Sequence, residues 1–444
     1  MDGALGGLTK LESTIVSKLI PVASCVVVGL GLGACVESPE TTDEASGAEQ
    51  DIFVEELFDR MPNNVPIPNA HGFAAVFAGA GYVELSNDFF TAQGTNGRHC
   101  GTCHAPEDGF GMNGPTITSL FLLTGGLHPI FANHLDTDTP TADMSTVKAR
   151  WDATTMLRQG KFTRKVALPA TRDYDVTAIA DPFGVSTPQT LFWFRRPQPT
   201  ANFRSATVMS DGALTTATGL RDGLVKQARG NITGAQQGGQ AADAIVGDIV
   251  DYEMSLTHAQ LFLWNVGRLD VAGAHGGPAH AAAQPIVSGR FDLYDAWQHS
   301  QNPGRRQIWR GQELFNRGDH NGRRCGGCHD AANNGQNVGG KLFDVGASRP
   351  EHARPDMAIF TFQRRDTGEI VRTTDPGQGI RNGQFASLGR FKTPTLRGLA
   401  ARAPYFHNGI SADLAAVVRH YEDALGFDFT PAEEADLVAF LKAL

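Results

Sequence analysis

Two nine-residue strings, NGRHCGTCH (Asn96 to His104) and NGRRCGGCH (Asn321 to His329), constrain this chain more than its composition does. A Cys-x-x-Cys pair alone is compatible with half of a zinc site, a thiol redox pair or covalent haem attachment. The histidine that follows narrows the choice. In Cys-x-x-Cys-His the two thiols add across the vinyl groups of one haem, and the adjacent histidine reaches the iron from the first helical turn. Of the six cysteines, four lie in these strings; Cys25 and Cys35 belong to the apolar N-terminal stretch, so no thiol remains for a structural disulfide. Cys100, Cys103 and His104 are therefore expected to hold one haem c (haem 1), and Cys325, Cys328 and His329 a second (haem 2). A zinc site made of the four motif cysteines is the alternative.

The 444 residues are 41% hydrophobic, enough for two or three packed domains. Glycine, at 51 residues, exceeds its usual share and points to stretches of irregular backbone. A formal charge of −9 argues against a nucleic-acid partner, which calls for a basic surface. The run LIPVASCVVVGLGLGAC after Lys18 is too short for a comfortable membrane span but suits the core of a secretory signal. Its end, Leu32-Gly33-Ala34-Cys35, resembles the lipobox of bacterial lipoproteins, which implies cleavage before Cys35 and lipid on its sulfur. A secretory signal without lipid is the alternative. Residues 1–35 are thus expected to be a lipoprotein-type signal and 36–55 an acidic tether, with six acidic and no basic side chains over 37–51. This organisation implies export to the periplasmic side of the envelope, with Val36 favouring the outer membrane.

The repeat extends beyond the motifs. DFFTAQGTNGRHCGTCH (88–104) matches ELFNRGDHNGRRCGGCH (313–329) at its Phe, Gly and Asn-Gly-Arg positions. Each half also offers an amphipathic helix downstream: AADAIVGDIVDYEMSL, with Ile245, Ile249, Tyr252 and Leu256 at helical spacing, and TPAEEADLVAFLKAL, with Leu437, Phe440, Leu441 and Leu444. Thr430, Pro431 and Glu433 read as an N-cap, Pro at N1 and a capping box. The expected architecture is mainly α, two tandem cytochrome c-like domains with one covalent haem each. The N-terminal domain covers 56–265 and carries a long irregular insertion at about 105–195. A Gly/Ala/Pro-rich connector occupies 266–305, and the C-terminal domain 306–444.

The text FKTPTLRGLAARAPYFHNG (391–409), followed by DLAAVVRHY (413–421) and preceded by GQELFN (311–316), resembles the bacterial dihaem cytochrome c peroxidase and MauG superfamily. The likeness is strong over about 306–444 and weak before 196. TDPGQG (374–379) and the long insertion look closest to an exported subgroup that includes haem-dependent rubber oxygenases. The resemblance implies Tyr421 as the second axial ligand of haem 2, with His420 a rival. It implies that His407 supports that pocket and that Lys392 and Arg397 contact haem propionates. It also implies that haem 1 is the open, reactive site, where the family places a glutamate base. Here the corresponding region offers Gln227, Gln236 and Gln237, none able to act as a base. The family's relay tryptophan is missing from Met209-Ser210-Asp211-Gly212-Ala213, leaving Trp193 or Trp264 as substitutes. The carbonyls of Arg402 and Pro404 match bridging calcium ligands, but Pro197 falls where a side-chain donor belongs. His128 and His134 could cap haem 1.

Three functions follow. The first is a peroxidase-family oxidoreductase that takes peroxide at haem 1 and electrons through haem 2 from a small redox protein. The second is an oxygenase using O2 on an apolar substrate, with Phe121 to Leu123, Phe131 and Phe192 to Phe194 lining a pocket unless they are simply core. The third is an electron-transfer cytochrome.

Overall fold

The structure, a computed structural model, describes residues 59–132, 136–209, 211, 214–215, 219–283 and 289–444. The expected signal, the acidic tether and the lipid site Cys35 lie outside the described residues, as does His134. One compact unit spans Pro62–Leu444, and the described residues 59–61 fall outside it in a smaller one.

Both motif-bearing halves lie in the larger unit. Its main apolar core joins the helices Pro303–Arg317, Leu414–Leu425 and Pro431–Lys442 through Ile308, Leu314, Phe315, Val418, Leu437, Phe440 and Leu441. The last helix starts as its sequence dictates. Pro431 is at N1, Thr430 accepts from the Glu433 N–H, and the Glu433 side chain reaches back to the Thr430 N–H. This helix crosses Pro303–Arg317 at Gly311, where an added Cβ would sit 1.9 Å from the Asp436 carbonyl oxygen. Only a glycine lets the backbones approach so closely. In the first half the helix Asp243–Ser255 buries Val246, Ile249, Val250 and Tyr252, and Leu256 opens the next strand instead of closing the helix. That strand, Leu256–Leu263, pairs antiparallel with Gly72–Ala78 in a four-stranded sheet.

Three expectations need correcting. The structure is 37% helical with sizeable strand content, so it is not mainly α. The stretch 105–195 is not irregular: it holds the helices Gly114–Thr124 and Val147–Ala153 and the paired strands Phe162–Ala167 and Thr190–Arg195. Its strand Tyr174–Ala180 pairs with Ile359–Arg364 of the C-terminal half, and Arg195 adds a buried tie, with Nε 2.5 Å from Asp375 and a further ion pair to Asp211. Alternation of apolar residues was diluted there by threonine and charge, which hid the strands. The expected Gly/Ala/Pro-rich connector at 266–305 is instead part of the packed core, because Leu269, Phe291, Leu293, Tyr294 and Trp297 are buried there. Its small residues serve close packing; a Cβ on Gly276 would lie 2.5 Å from the Leu269 carbonyl oxygen.

The Gly311 crossing gives a direct test. Gly311→Ala should lower the thermal midpoint by several degrees, since overpacking of this kind costs about 1–3 kcal/mol. A melting curve followed by circular dichroism measures it; an unchanged midpoint would mean that the two helices do not meet there.

Candidate haem-binding sites

The two motifs share one local geometry. Cys100–Thr102 and Cys325–Gly327 each make a single 3₁₀ turn. The His104 and His329 N–H groups donate back to Cys100 O at 3.1 Å and Cys325 O at 3.0 Å. Each imidazole then turns outward to a carbonyl six residues on: His104 Nδ1 is 3.1 Å from Phe110 O, and His329 Nδ1 is 2.7 Å from Gly335 O. A carbonyl only accepts, so Nδ1 carries the proton and Nε2 keeps its lone pair for a metal. Burial pushes both imidazoles down to about 4, so both are neutral at neutral pH. The four motif cysteines form no disulfide, and no group of three or more His, Cys, Asp or Glu among the described residues could hold a metal ion. The four-cysteine zinc alternative thus finds no donor set.

A large cavity opens at the second motif. Cys325, Cys328 and His329 line one side and Tyr421, from the helix Leu414–Leu425, another. Burial, with smaller effects from Cys325 and Cys328, raises the Tyr421 phenol above its ordinary range. His420 turns away: its Nε2 is 2.7 Å from Val345 O, and it does not line the cavity. His407 lines it while stacked on Phe391 at 4.0 Å, with Nε2 3.6 Å from Asp375. Arg196, Lys392 and Arg402 also face the cavity. Burial pulls them down to about 10, 8 and 10, and none of their side chains forms an ion pair among the described residues, although the Lys392 backbone N–H donates to Asp211 Oδ1 at 3.4 Å and that carboxylate partly offsets the shift of the lysine. Buried cations without counter-charges are costly. A haem carries two propionates, so an anionic macrocycle fits this cavity. Cys325 and Cys328 would hold it covalently, His329 and Tyr421 would offer donors to its iron, and Lys392 and Arg402 would balance its charge. Arg397 does not line the cavity; it is fully buried behind it, donating from Nε to Asn334 Oδ1 at 3.0 Å.

Arg196 also settles what the calcium-like carbonyls do. Its guanidinium donates to Arg402 O at 2.9 Å and to Pro404 O. An organic cation from the residue next to Pro197 thus engages the oxygens that the resemblance offered to calcium.

Around the first motif the rings of Phe89, Phe90, Phe110 and Tyr252 pack with centroids 5.1 to 6.5 Å apart. A Cβ on Gly101 would meet Phe90 at 2.5 Å, so the residue after Cys100 must be small. Gln236 is buried with Nε2 3.8 Å from Cys100 Sγ and Oε1 accepting from the Gln93 N–H. Gln237 is exposed, and Gln227 lies on the preceding helix with a buried side-chain oxygen, so of the three only Gln236 meets the motif. His128 Nδ1 accepts from the Ile130 N–H at 3.3 Å, capping its own turn. Trp193 Nε1 donates to Asp375 at 2.7 Å inside the insertion core, whereas Trp264 is 59% exposed. The apolar residues that could have lined a substrate pocket scatter: Phe121 and Phe131 share one small core, Trp193 lies in another, and Leu122 and Leu123 are exposed.

Two buried polar residues near the motifs escaped the sequence reading. Glu253, on the helix Asp243–Ser255, is buried and raised to about 8 by desolvation. Its signal was an acid on the apolar face that carries Val246, Ile249 and Val250. The other is His258, in the apolar run LTHAQLFL. One prediction follows from Arg196. Excess calcium and a chelator should leave the melting temperature of the wild type equal within error, while Arg196→Ala should lower it by several degrees. A calcium-dependent midpoint in the wild type would contradict this assignment.

No family model matches the chain. Over 100 residues it is 35% identical to cytochrome-c peroxidase IdrP2 of Denitromonas iodatirespirans, covering 21% of this chain and 25% of that protein. Over 121 residues it is 31% identical to cytochrome c551 peroxidase of Nitrosomonas europaea, covering 27% and 36%. It is 37% identical over 65 residues to methylamine utilization protein MauG of Methylophilus methylotrophus, covering 12% and 19%. The chain thus spans about a third or less of the length of these relatives. Over these segments the chain is similar to cytochrome-c peroxidases and to MauG.

Proposed function

We propose that the chain is an exported dihaem c-type cytochrome of the peroxidase family, which takes peroxide at the His104 site and receives electrons through the His329 site from a small redox protein. The observation that carries the reading is the repeated hydrogen bond from each motif histidine to a carbonyl six residues on, which fixes both imidazoles as neutral Nε2 donors. Bound haem would supply redox-active iron at both sites and, at an open one, the chemistry that cleaves an O–O bond. The chain's own residues divide the work. Tyr421, a hard oxygen donor when ionised, favours ferric iron and suits the second site to electron storage. Lys392 and Arg402 balance the propionate charge. At the first site Gln236 can donate from its amide but cannot take a proton, so proton movement there falls to water or to the buried Glu253. Export and a lipid at Cys35 are supported by the sequence alone. The apolar residues of the insertion do not gather into one pocket, which weakens the oxygenase reading.

Purified protein should give two haems per chain as the pyridine haemochromogen, and stopped-flow mixing of the reduced form with hydrogen peroxide should perturb the Soret band and oxidise a cytochrome donor. No response to peroxide would sink the peroxidase reading. Tyr421→Phe should raise the midpoint potential of one haem by at least ~59 mV, a tenfold change in a one-electron equilibrium. A redox titration indistinguishable from wild type would remove Tyr421 from the iron.

A further inference from the structure

The peptide carbonyl of Phe110 has two partners. It lies 3.1 Å from His104 Nδ1 and also accepts from the Thr200 N–H at 2.9 Å. Phe110 is fully buried and has left-handed backbone, φ 60°, a conformation that a bulky residue keeps only where its surroundings enforce it. The enforcement is local. The Phe110 N–H donates to Ala105 O at 2.9 Å and the Gly111 N–H to Asp108 O at 3.1 Å, so the loop is tied on both sides of the carbonyl.

Both segments that meet at this oxygen continue into the wall of the cavity at the second motif. Gly111 and Met112 line that cavity from one segment and Pro199 from the other, and Cys325, Cys328 and His329 line it too. Only Gly111 stands between Phe110 and Met112, and the Thr200 N–H belongs to the peptide bond that Pro199 begins. Met112 has a second role. It belongs to the buried cluster of Ile117, Ile130 and Leu157, against which Cys103 of the first motif packs. One side chain thus joins the packing around the first motif to the cavity of the second. Phe110, Met112, Pro199 and Thr200 are all buried, so the atoms between His104 and that cavity are shielded from solvent.

We propose that the Phe110 carbonyl is the junction through which electrons pass between the two sites, with Met112 as the positioning residue that carries this junction to the wall of the C-terminal cavity. Transfer through bonded and packed atoms outruns transfer across a gap, and the buried atoms here run from the imidazole of one motif to the cavity of the other. One electron leaves reduced iron held at His329 and enters oxidised iron held at His104. No bond of the chain forms or breaks, and Met112 ends the step unchanged. The inference rests on the proposed function, in which a redox protein supplies the electron and peroxide is the oxidant. Fewer than two haems per wild-type chain, or no electron exchange between them, overturns that reading and this one with it.

With two exchanging haems established, a flash-excited photoreductant delivers an electron to the full chain, and exchange between the haems is followed in their α bands for wild type, Met112→Ala and Met112→Leu. Alanine opens a gap between the first-motif packing and the cavity, whereas leucine keeps most of the volume. Met112→Ala should slow the exchange severalfold while both midpoint potentials and the electron paramagnetic resonance spectrum keep their wild-type values. Met112→Leu should restore most of the rate. Should Met112→Ala fail to load both haems, Met112→Val shortens the same side chain and should slow the exchange in the same direction. Wild-type rates in every shortened variant that loads both haems would overturn the proposal, as would a Met112→Leu rate no faster than that of Met112→Ala. Slowing that comes only with a shifted potential or spectrum of the His104 haem would overturn it too, because weakened support of that histidine would then account for the change.

Discussion

The hydrogen bond from a motif histidine to a carbonyl six residues downstream is the constraint on which both sites depend. It fixes which nitrogen is protonated, which way the ring faces and how tightly the loop must turn to bring that carbonyl back. The turns use similar means: Gly109 and Phe110 have positive φ in one copy, Asn334 and Gly335 in the other. A sequence match that ends at the histidine thus continues in the backbone for six further residues. Equal support does not make equal sites. The second copy stands behind a 15-residue helix, Pro303–Arg317, whereas the matching text of the first makes only the short turn Asp88–Phe90.

What the sequence made legible was the part governed by local chemistry. The motif residues, the capping of the last helix and the burial of Leu437, Phe440, Leu441 and Leu444 all follow from short-range rules about thiols, caps and helical spacing. Tyr421 and Lys392 were reachable through resemblance, and both face the expected cavity. What stayed hidden depends on pairing across long separations. Nothing near Tyr174 says that its strand will lie beside Ile359–Arg364, and nothing near Arg196 says that its guanidinium will meet carbonyls more than two hundred positions away. Trp297 and Tyr294 show the same limit. Their surroundings are rich in glycine, alanine and proline, a composition shared by linkers and by backbones that pack closely.

Charge is distributed unevenly between the two interiors. Around the second motif Arg196, Arg324, Lys392 and Arg402 line the cavity with Asp108 as the one acid among the described lining residues, whereas Asp375 is densely paired, with Arg195, Trp193 and His407 converging on its carboxyl group. Burial alone would pull the Lys392 ammonium toward neutrality, and an anionic ligand would restore its charge. Ligand binding and protonation in that cavity are therefore coupled through the same few side chains.

The sheet that joins Tyr174–Ala180 to Ile359–Arg364 has a consequence for how the chain can be divided. A boundary near residue 305 looks natural on the sequence, because a complete haem motif and two helices lie beyond it. Cutting there would strip Ile359–Arg364 of one flanking strand, expose Phe360 and Phe362, and separate Asp375 from Arg195. The two halves are accordingly joint owners of a single interior, and neither is a severable module.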